Sequence, residues 1–188
     1  DMGSGLGAAL LYERQRGNKG NKIQIDTRGF YLGSEPGEIP VDAEPYSVQY
    51  QGSLHEFAAQ LLAEGKILGW VRNGMELGAR ALGARSVLAD PRQPDMQSVL
   101  NLKIKFRESF RPFAPAVLAE EADKWFDVSY PSNYMQYTAY LKHEHRYPQP
   151  DHFDSFQDRL NYVKCVVPSI VHVDSSARLQ TVDRNVHP

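Results

Sequence analysis

Cysteine is nearly absent from this sequence: Cys165 is the one thiol in 188 residues. An intrachain disulfide is therefore excluded, and a chain of this length can bury a core without one. An excess of charge is lacking too. Twenty-one Lys and Arg stand against 23 Asp and Glu, for a formal net charge of −2. A surface basic enough to hold DNA or an anionic membrane by charge alone is excluded, so any phosphate binding must come from a local cluster. Long apolar runs are missing. Stretches such as Ala8–Leu11 are only a few residues long, far short of the ~18 that a bilayer span needs. No basic stretch leads into an apolar core at the start, so no signal peptide is read. Together with the lone thiol this leads us to expect a cytoplasmic protein without membrane or DNA partners. The first residue is Asp1, not Met, and the last is Pro188; we therefore expect an excised part of something longer.

What is present is ordinary for a globular domain: 41% hydrophobic and 23% charged residues. That excludes disorder, collagen and coiled coil as descriptions of the whole. Ala8–Arg16 reads as a short helix preceded by Gly3, Gly5 and Gly7, whose small size would leave N–H groups open to an anion. Lys22–Asp26 alternates like a strand. Gly33, Pro36, Gly37, Pro40 and Pro45 mark a linker or long loop. Ser53 with Glu56 three residues on matches a capping box, and Leu54, Phe57, Ala58, Leu61 and Leu62 continue at helical spacing to Gly65. Beyond it, strands are predicted at Ile67–Val71, Ser86–Ala89, Phe113–Leu118, Tyr134–Leu141 and Ile170–Val173. Helices are predicted at Met96–Lys103 and Glu120–Trp125, and a surface loop at Pro148–Asp154. Alternating helices and short apolar strands predict an α/β domain over 51–188, after an opening segment and linker over 1–50.

Three stretches carry chemistry. Gly74–Ser86 holds Gly74, Gly78 and Gly83 with Arg80 and Arg85. Glycine lets backbone approach a ligand closely, and arginine forks onto phosphate oxygens. The same composition also describes a plain turn with solvated arginines. In Lys103–Pro112, an extended chain would place Lys105, Arg107, Ser109 and Arg111 on one face and Ile104, Phe106 and Phe110 on the other. That is either a phosphate cradle on a sheet or an exposed basic edge strand. His172–Thr181 puts Asp174, Arg178 and Gln180 just after an apolar strand, where open α/β sheets often place active-site groups. A strand histidine such as His172 is equally a structural residue. His143 and His145 lack further nearby ligands for zinc. Asp90 is placed to cap the next helix. The tyrosines at 130, 134, 137 and 140 could stack on a base or fill a core, and Cys165 sits in an apolar run that suggests burial.

These blocks resemble one family. Gly74–Arg92 (GMELGARALGARSVLADPR), Leu100–Leu118 (LNLKIKFRESFRPFAPAVL) and His172–Val182 (HVDSSARLQTV) are similar, in order, to signatures of NodU/CmcH-type O-carbamoyltransferases. The resemblance runs from about residue 60 to 182. It departs at Asn73-Gly74, where the family has Gly-Arg, and at Ala79, where it has Pro. The opening Asp1–Leu10 resembles the end of the family's actin/hexokinase-like domain, in which the aspartate before the glycines helps to hold a metal.

The resemblance implies a YrdC-like domain, a twisted open mixed sheet with flanking helices. It implies that carbamoyl phosphate and ATP, with Mg²⁺, are joined there into carbamoyl-adenylate and pyrophosphate. The carbamoyl group would then pass to a hydroxyl of a small-molecule acceptor in the other domain, which would also hold any iron or other resident metal. It places the Lys-x-Arg pair on Lys105 and Arg107, with Arg111, at the carbamoyl and phosphate groups. Arg80, Arg85 and Arg178 fall to the nucleotide phosphates, and Glu76 and Ser109 to orienting arginines. The cations suit the chemistry, since two polyanions must be brought together and no side-chain nucleophile is required. The family's following Ser-x-Asn motif lies past Pro188, so the domain is expected to be incomplete at its C-terminus and the 188 residues alone to be inactive. Two other readings remain open. One is a non-catalytic nucleotide- or RNA-binding module of YrdC type. The other is a structural lid for the other domain.

Overall fold

A computed structural model describes residues 2–16, 31–38 and 40–185. The strand expected at Lys22–Asp26 and the metal-linked role expected of Asp1 lie outside the described residues. The chain divides into two compact units. One comprises Asp1–Leu54 with Gly69–Leu88, the other His55–Leu68 with Ala89–Pro188. Among the described residues no helix is long and apolar enough to cross a membrane.

The fold is mixed α/β. In the first unit, helix α1 runs over Met2–Gln15, several residues longer than expected. Gly3, Gly5 and Gly7 lie inside it and not in a loop before it. Residues 31–38 and 40–50 form the expected loop, with a 3₁₀ turn at Glu44–Tyr46. This loop is tied down: Gly33 N–H donates to Met75 O and Met75 N–H to Ser34 O, each at 2.9 Å. Strand β1, Leu68–Val71, pairs with β2, Arg85–Leu88. The apolar run at β1 is not buried: its residues alternate between half-buried and exposed, and Val71 is 61% exposed. A two-stranded sheet covered on one side leaves every second side chain in water.

In the second unit, helix α2 (Leu54–Ala63) begins directly after Ser53. Gly65 ends it at φ +81°. Its N–H donates to Leu62 O while Lys66 N–H reaches Leu61 O, both at 2.9 Å, the pair of bonds that closes a helix on a left-handed glycine. Helix α3 (Met96–Val99) passes into a π-helical turn over Leu100–Ile104. Strand β3 (Ala116–Leu118) is followed by a 3₁₀ turn and α4 (Ala122–Trp125). Then come β4 (Thr138–Tyr140), α5 (Phe156–Asn161), and two nearly continuous strands, β5 (Ser176–Arg178) and β6 (Gln180–Val182).

The end of the chain departs most from expectation. Ile170–Val173 is not a strand: Pro168–Ile170 is a 3₁₀ turn, begun by the proline. His172 then takes part in a tight turn, its N–H donating to Ser176 O at 2.8 Å. The strand is the polar-looking segment 176–182, which serves two ladders. On β4 it pairs antiparallel, Thr138 with Arg178 and Ala139 with Ala177. On β3 it pairs parallel, Ala116 with Gln180 and Leu118 with Val182. The described strands thus form three two-stranded sheets in place of the single open sheet that was expected. Ala177 and Leu179, at 0% and 1% exposure, point into the core with Phe126, Leu141, Cys165, Val167 and Val171. Each side chain the size of Leu141 contributes about 1.5–3 kcal/mol when fully buried. The buried polar groups of this strand are matched: Thr181 Oγ1 accepts from Ser132 N–H at 2.8 Å, and Ser132 Oγ donates to Leu179 O at 2.9 Å.

Candidate functional site

The glycine-rich block lies in the first unit and is organised by one carboxylate. Glu76 is 6% exposed. Its Oε1 accepts three main-chain N–H groups, from Leu82 at 2.7 Å, Ala84 at 2.6 Å and Arg85 at 3.1 Å. Burial by itself would raise its pKa. The N–H donors of Leu82, of Glu76 itself, of Ala84 and of Arg85 outweigh burial and hold it below its ordinary value. A loop drawn around one oxygen has to bend sharply, and Gly78 and Gly83 supply φ of +130° and +111°. Gly74 is needed for a different reason: a Cβ there would come within 2.8 Å of Tyr31 O.

Arg85 fastens the same loop from outside. Its Nη1 donates to Arg72 O, Asn73 O and Ala84 O at 2.9–3.1 Å, and its Nη2 to Ser34 O at 3.2 Å. In this conformation the fork faces main-chain carbonyls. Arg80 is exposed at the loop's tip. Glu76 therefore orients backbone, where the sequence suggested that it orients arginines.

The basic block lies in the second unit and is not extended. The π-helical turn ends at Lys105, whose backbone is still helical, and Phe106 then turns to φ +49°. The alternating two-faced strand expected for Lys105, Arg107, Ser109 and Arg111 is corrected, since Phe106 and Phe110 are 85% and 75% exposed where an apolar face should pack. The reason is Asn101, which is fully buried. Its Nδ2 donates to Arg111 O at 2.7 Å and to Ser109 O at 3.1 Å, while its Oδ1 accepts from Arg107 Nε at 2.6 Å. Its own carbonyl accepts from Arg107 N–H at 3.0 Å. A buried amide with all these partners outweighs the pattern preference of an exposed segment. The guanidinium of Arg107 also lies 4.9 Å from the centre of the Phe113 ring.

The result is a compact turn carrying Lys103, Lys105, Arg107 and Arg111. Lys105 is exposed, and among the described residues nothing hydrogen-bonds or ion-pairs with its ammonium. Arg111 meets Glu108 Oε2 at 3.2 Å, a half-exposed pair that holds little energy. Ser109 presents its carbonyl to Asn101 and to Gln97 Nε2. Arg178 stands half-buried on β5 opposite Thr138, on the face away from Ala177 and Leu179.

Sequence reasoning missed Asn101 and the buried hub Ser169, whose Oγ donates to Gln93 O and whose carbonyl accepts from Phe113 N–H. A polar residue between Leu100 and Leu102, next to a helical run, was the available signal for the first. Other expectations resolve simply. Asp90 does not cap α3. It accepts from Arg92 N–H and from its guanidinium at 2.6–3.0 Å, and the residue before α3, Asp95, makes no side-chain cap. His145 stacks on Trp125 with ring centres 4.3 Å apart. Tyr130 and Tyr137 pack edge to face at the surface, and Cys165 is buried as expected. Among the described residues no cluster of three or more His, Cys, Asp or Glu could hold a metal.

Comparison with known proteins places these two loops in context. Residues 59–188 match the family described as carbamoyltransferase C-terminus. The chain is 41% identical over its whole length to an uncharacterised protein of Synechocystis sp., of which the match covers 32%. It is 34% identical, again over its whole length, to nodulation protein NolO of Bradyrhizobium diazoefficiens, of which 32% is covered. Over 71% of this chain it is 41% identical to nodulation protein U of Sinorhizobium fredii, of which 20% is covered. The chain thus spans about a third or less of the length of these relatives.

Proposed function

The chain belongs to the carbamoyltransferase C-terminus family, and from that premise we propose that it is the part of an O-carbamoyltransferase that binds ATP and carbamoyl phosphate and forms carbamoyl-adenylate. The observation that carries this reading is the turn at 100–113: four cations displayed on a segment that the buried Asn101 fixes from inside. The reaction balances when carbamoyl phosphate yields its phosphate to water and the carbamate oxygen displaces pyrophosphate from the α-phosphorus of ATP. Both phosphorylated substrates, the carbamate and the leaving phosphates are anions. Fixed cations offset their mutual repulsion and stabilise the charge that gathers on the leaving phosphates.

Lys105 is the mobile point charge for the transferring group. Arg107 offers a fixed fork, and Arg111 a third charge beside it. Arg178 on β5 serves the nucleotide phosphates. Arg85 and Glu76 shape the glycine loop, and the Ser109 carbonyl helps to shape the basic turn. Mg²⁺ would neutralise phosphate charge; with no carboxylate cluster among the described residues, it would arrive on the triphosphate. The hydroxylated acceptor and its transfer step fall to the remaining length of the relatives.

The test is carbamoyl-phosphate-dependent exchange of pyrophosphate into ATP, in a protein of the relatives' full length that carries this segment. Lys105→Ala should lower exchange by about a hundredfold or more while leaving folding intact, as expected for loss of a preorganised charge at the reacting group. Undiminished exchange in a folded Lys105→Ala protein would refute the assignment of the chemistry to this turn.

A further inference from the structure

Arg107 is held unlike the other cations of its turn. Its Nε–H donates to Asn101 Oδ1 at 2.6 Å, its N–H donates to Asn101 O at 3.0 Å, and its guanidinium lies 4.9 Å from the Phe113 ring centre. Phe113 is itself anchored, its N–H donating to Ser169 O at 3.1 Å. Two contacts, one from Asn101 and one from Phe113, thus hold the guanidinium itself, and a third holds the main chain that carries it. Among the described residues nothing accepts from Nη1 or Nη2, which are the two donors that grip an oxyanion side by side.

We propose that Asn101 is a positioning residue for anion recognition, fixing Arg107 through Nε so that its paired Nη groups stay aimed at a phosphate or carbamoyl oxygen. The assignment rests on the function proposed above and adds a specific division of labour to it. The other end of the same amide draws in the carbonyls of Ser109 and Arg111. One buried side chain therefore shapes the turn with its NH₂ and orients the cation with its oxygen. A guanidinium already held at Nε and over a ring loses little freedom on gripping its ligand, so the effect should fall on the reacting step more than on ground-state binding.

The experiment is a double-mutant cycle in the full-length protein, read by carbamoyl-phosphate-dependent pyrophosphate exchange. Arg107→Ala alone tests the underlying function: undiminished exchange there would overturn that reading whatever Asn101 does. If Arg107→Ala loses exchange, Asn101→Ala should lose about tenfold or more in kcat with a smaller change in KM for ATP. The double variant should lose clearly less than the product of the two single losses, because the part of the Asn101 loss that acts through Arg107 is already gone. Losses that multiply would mean that Asn101 is merely structural and would overturn the inference alone. Gln97→Ala is the control. It removes only the 3.3 Å bond to Ser109 O, never touches Arg107, and should leave exchange unchanged. A spectroscopic measurement covers the case in which Asn101→Ala fails to fold. In the unaltered protein the Arg107 Nε–H should give a ¹⁵N-correlated signal protected from exchange with water, and its absence would overturn the inference without any variant.

Discussion

Replacing Glu76 by Gln keeps the size of the side chain and an oxygen to accept hydrogen bonds, and removes only the charge. In the native loop, one carboxylate oxygen accepts N–H groups from Leu82, Ala84 and Arg85. A hydrogen bond to a charged acceptor contributes about 1.5–3 kcal/mol and a neutral one about 0.5–1.5. Three such bonds would each weaken by roughly 1 kcal/mol, while the amide is relieved of the cost of burying a charge. The net loss should be about 1–2 kcal/mol, a 5- to 30-fold rise in the open fraction of the loop.

Hydrogen exchange at the amides of residues 82, 84 and 85 reads this directly, because their protection measures opening of this loop and not of the whole chain. The pH dependence has a definite sign. Glu76 has a pKa below its ordinary value of 4.5, so the folded state binds its proton less readily than the unfolded chain. Its stabilisation is complete well above pH 4.5 and is lost as pH falls through the lower, folded value. Protection of the three amides should fall in the native protein on acidification from pH 6 to pH 3 and stay flat over that interval in Glu76→Gln. Equal protection in the two proteins at pH 7 would refute the claim that the charge organises the loop.

Two further outcomes follow from other parts of the structure. Gly65→Ala should lower the urea midpoint, followed by Trp125 fluorescence, by the equivalent of about 1 kcal/mol. The cause is the φ of +81°, since the 2.5 Å approach of a new Cβ to Gln93 Nε2 can be relieved by a flexible side chain; an unchanged midpoint would show that the glycine cap is dispensable. The Cys165 thiol should be inert toward a disulfide reagent at pH 8 until the protein unfolds. Burial raises its pKa, more than the Val167 N–H and the Lys164 and Arg146 charges lower it; rapid labelling under native conditions would contradict the packing seen here.

What the sequence disclosed was whatever depends on neighbours in the chain. Helix α2 was legible from Ser53 to Gly65 because its cap signal, its spacing and its terminating glycine are local. The same holds for β2 and for α3 with its π-helical extension. The strand at 176–182 was not legible, because its ladder partners lie at 138–140 and 116–118 and its polar residues are buried only through them. Serine, glutamine and threonine score as surface residues until Ser132 is known to face Thr181. The basic block failed for a related reason. Its two-residue alternation is real, but the pattern cannot reveal a buried Asn101 that draws the carbonyls of Ser109 and Arg111 inward. In the glycine block, residue types correctly marked a loop of unusual backbone, and only the folded loop shows that Glu76 sits inside it.

The double duty of segment 176–182 also sets a timetable. Parallel pairing of Ala116–Leu118 and antiparallel pairing of Thr138–Tyr140 both await the same late stretch of chain. As the polypeptide leaves the ribosome, Ala139, Leu141, Phe126 and Val167 are made well before Ala177 and Leu179, the residues that close over them. Neither ladder can form in the meantime, and loop closure over such separations is slow. Nascent chains halted before residue 176 should therefore keep this apolar set exposed, which makes that window of synthesis the one in which a chaperone has most to shield.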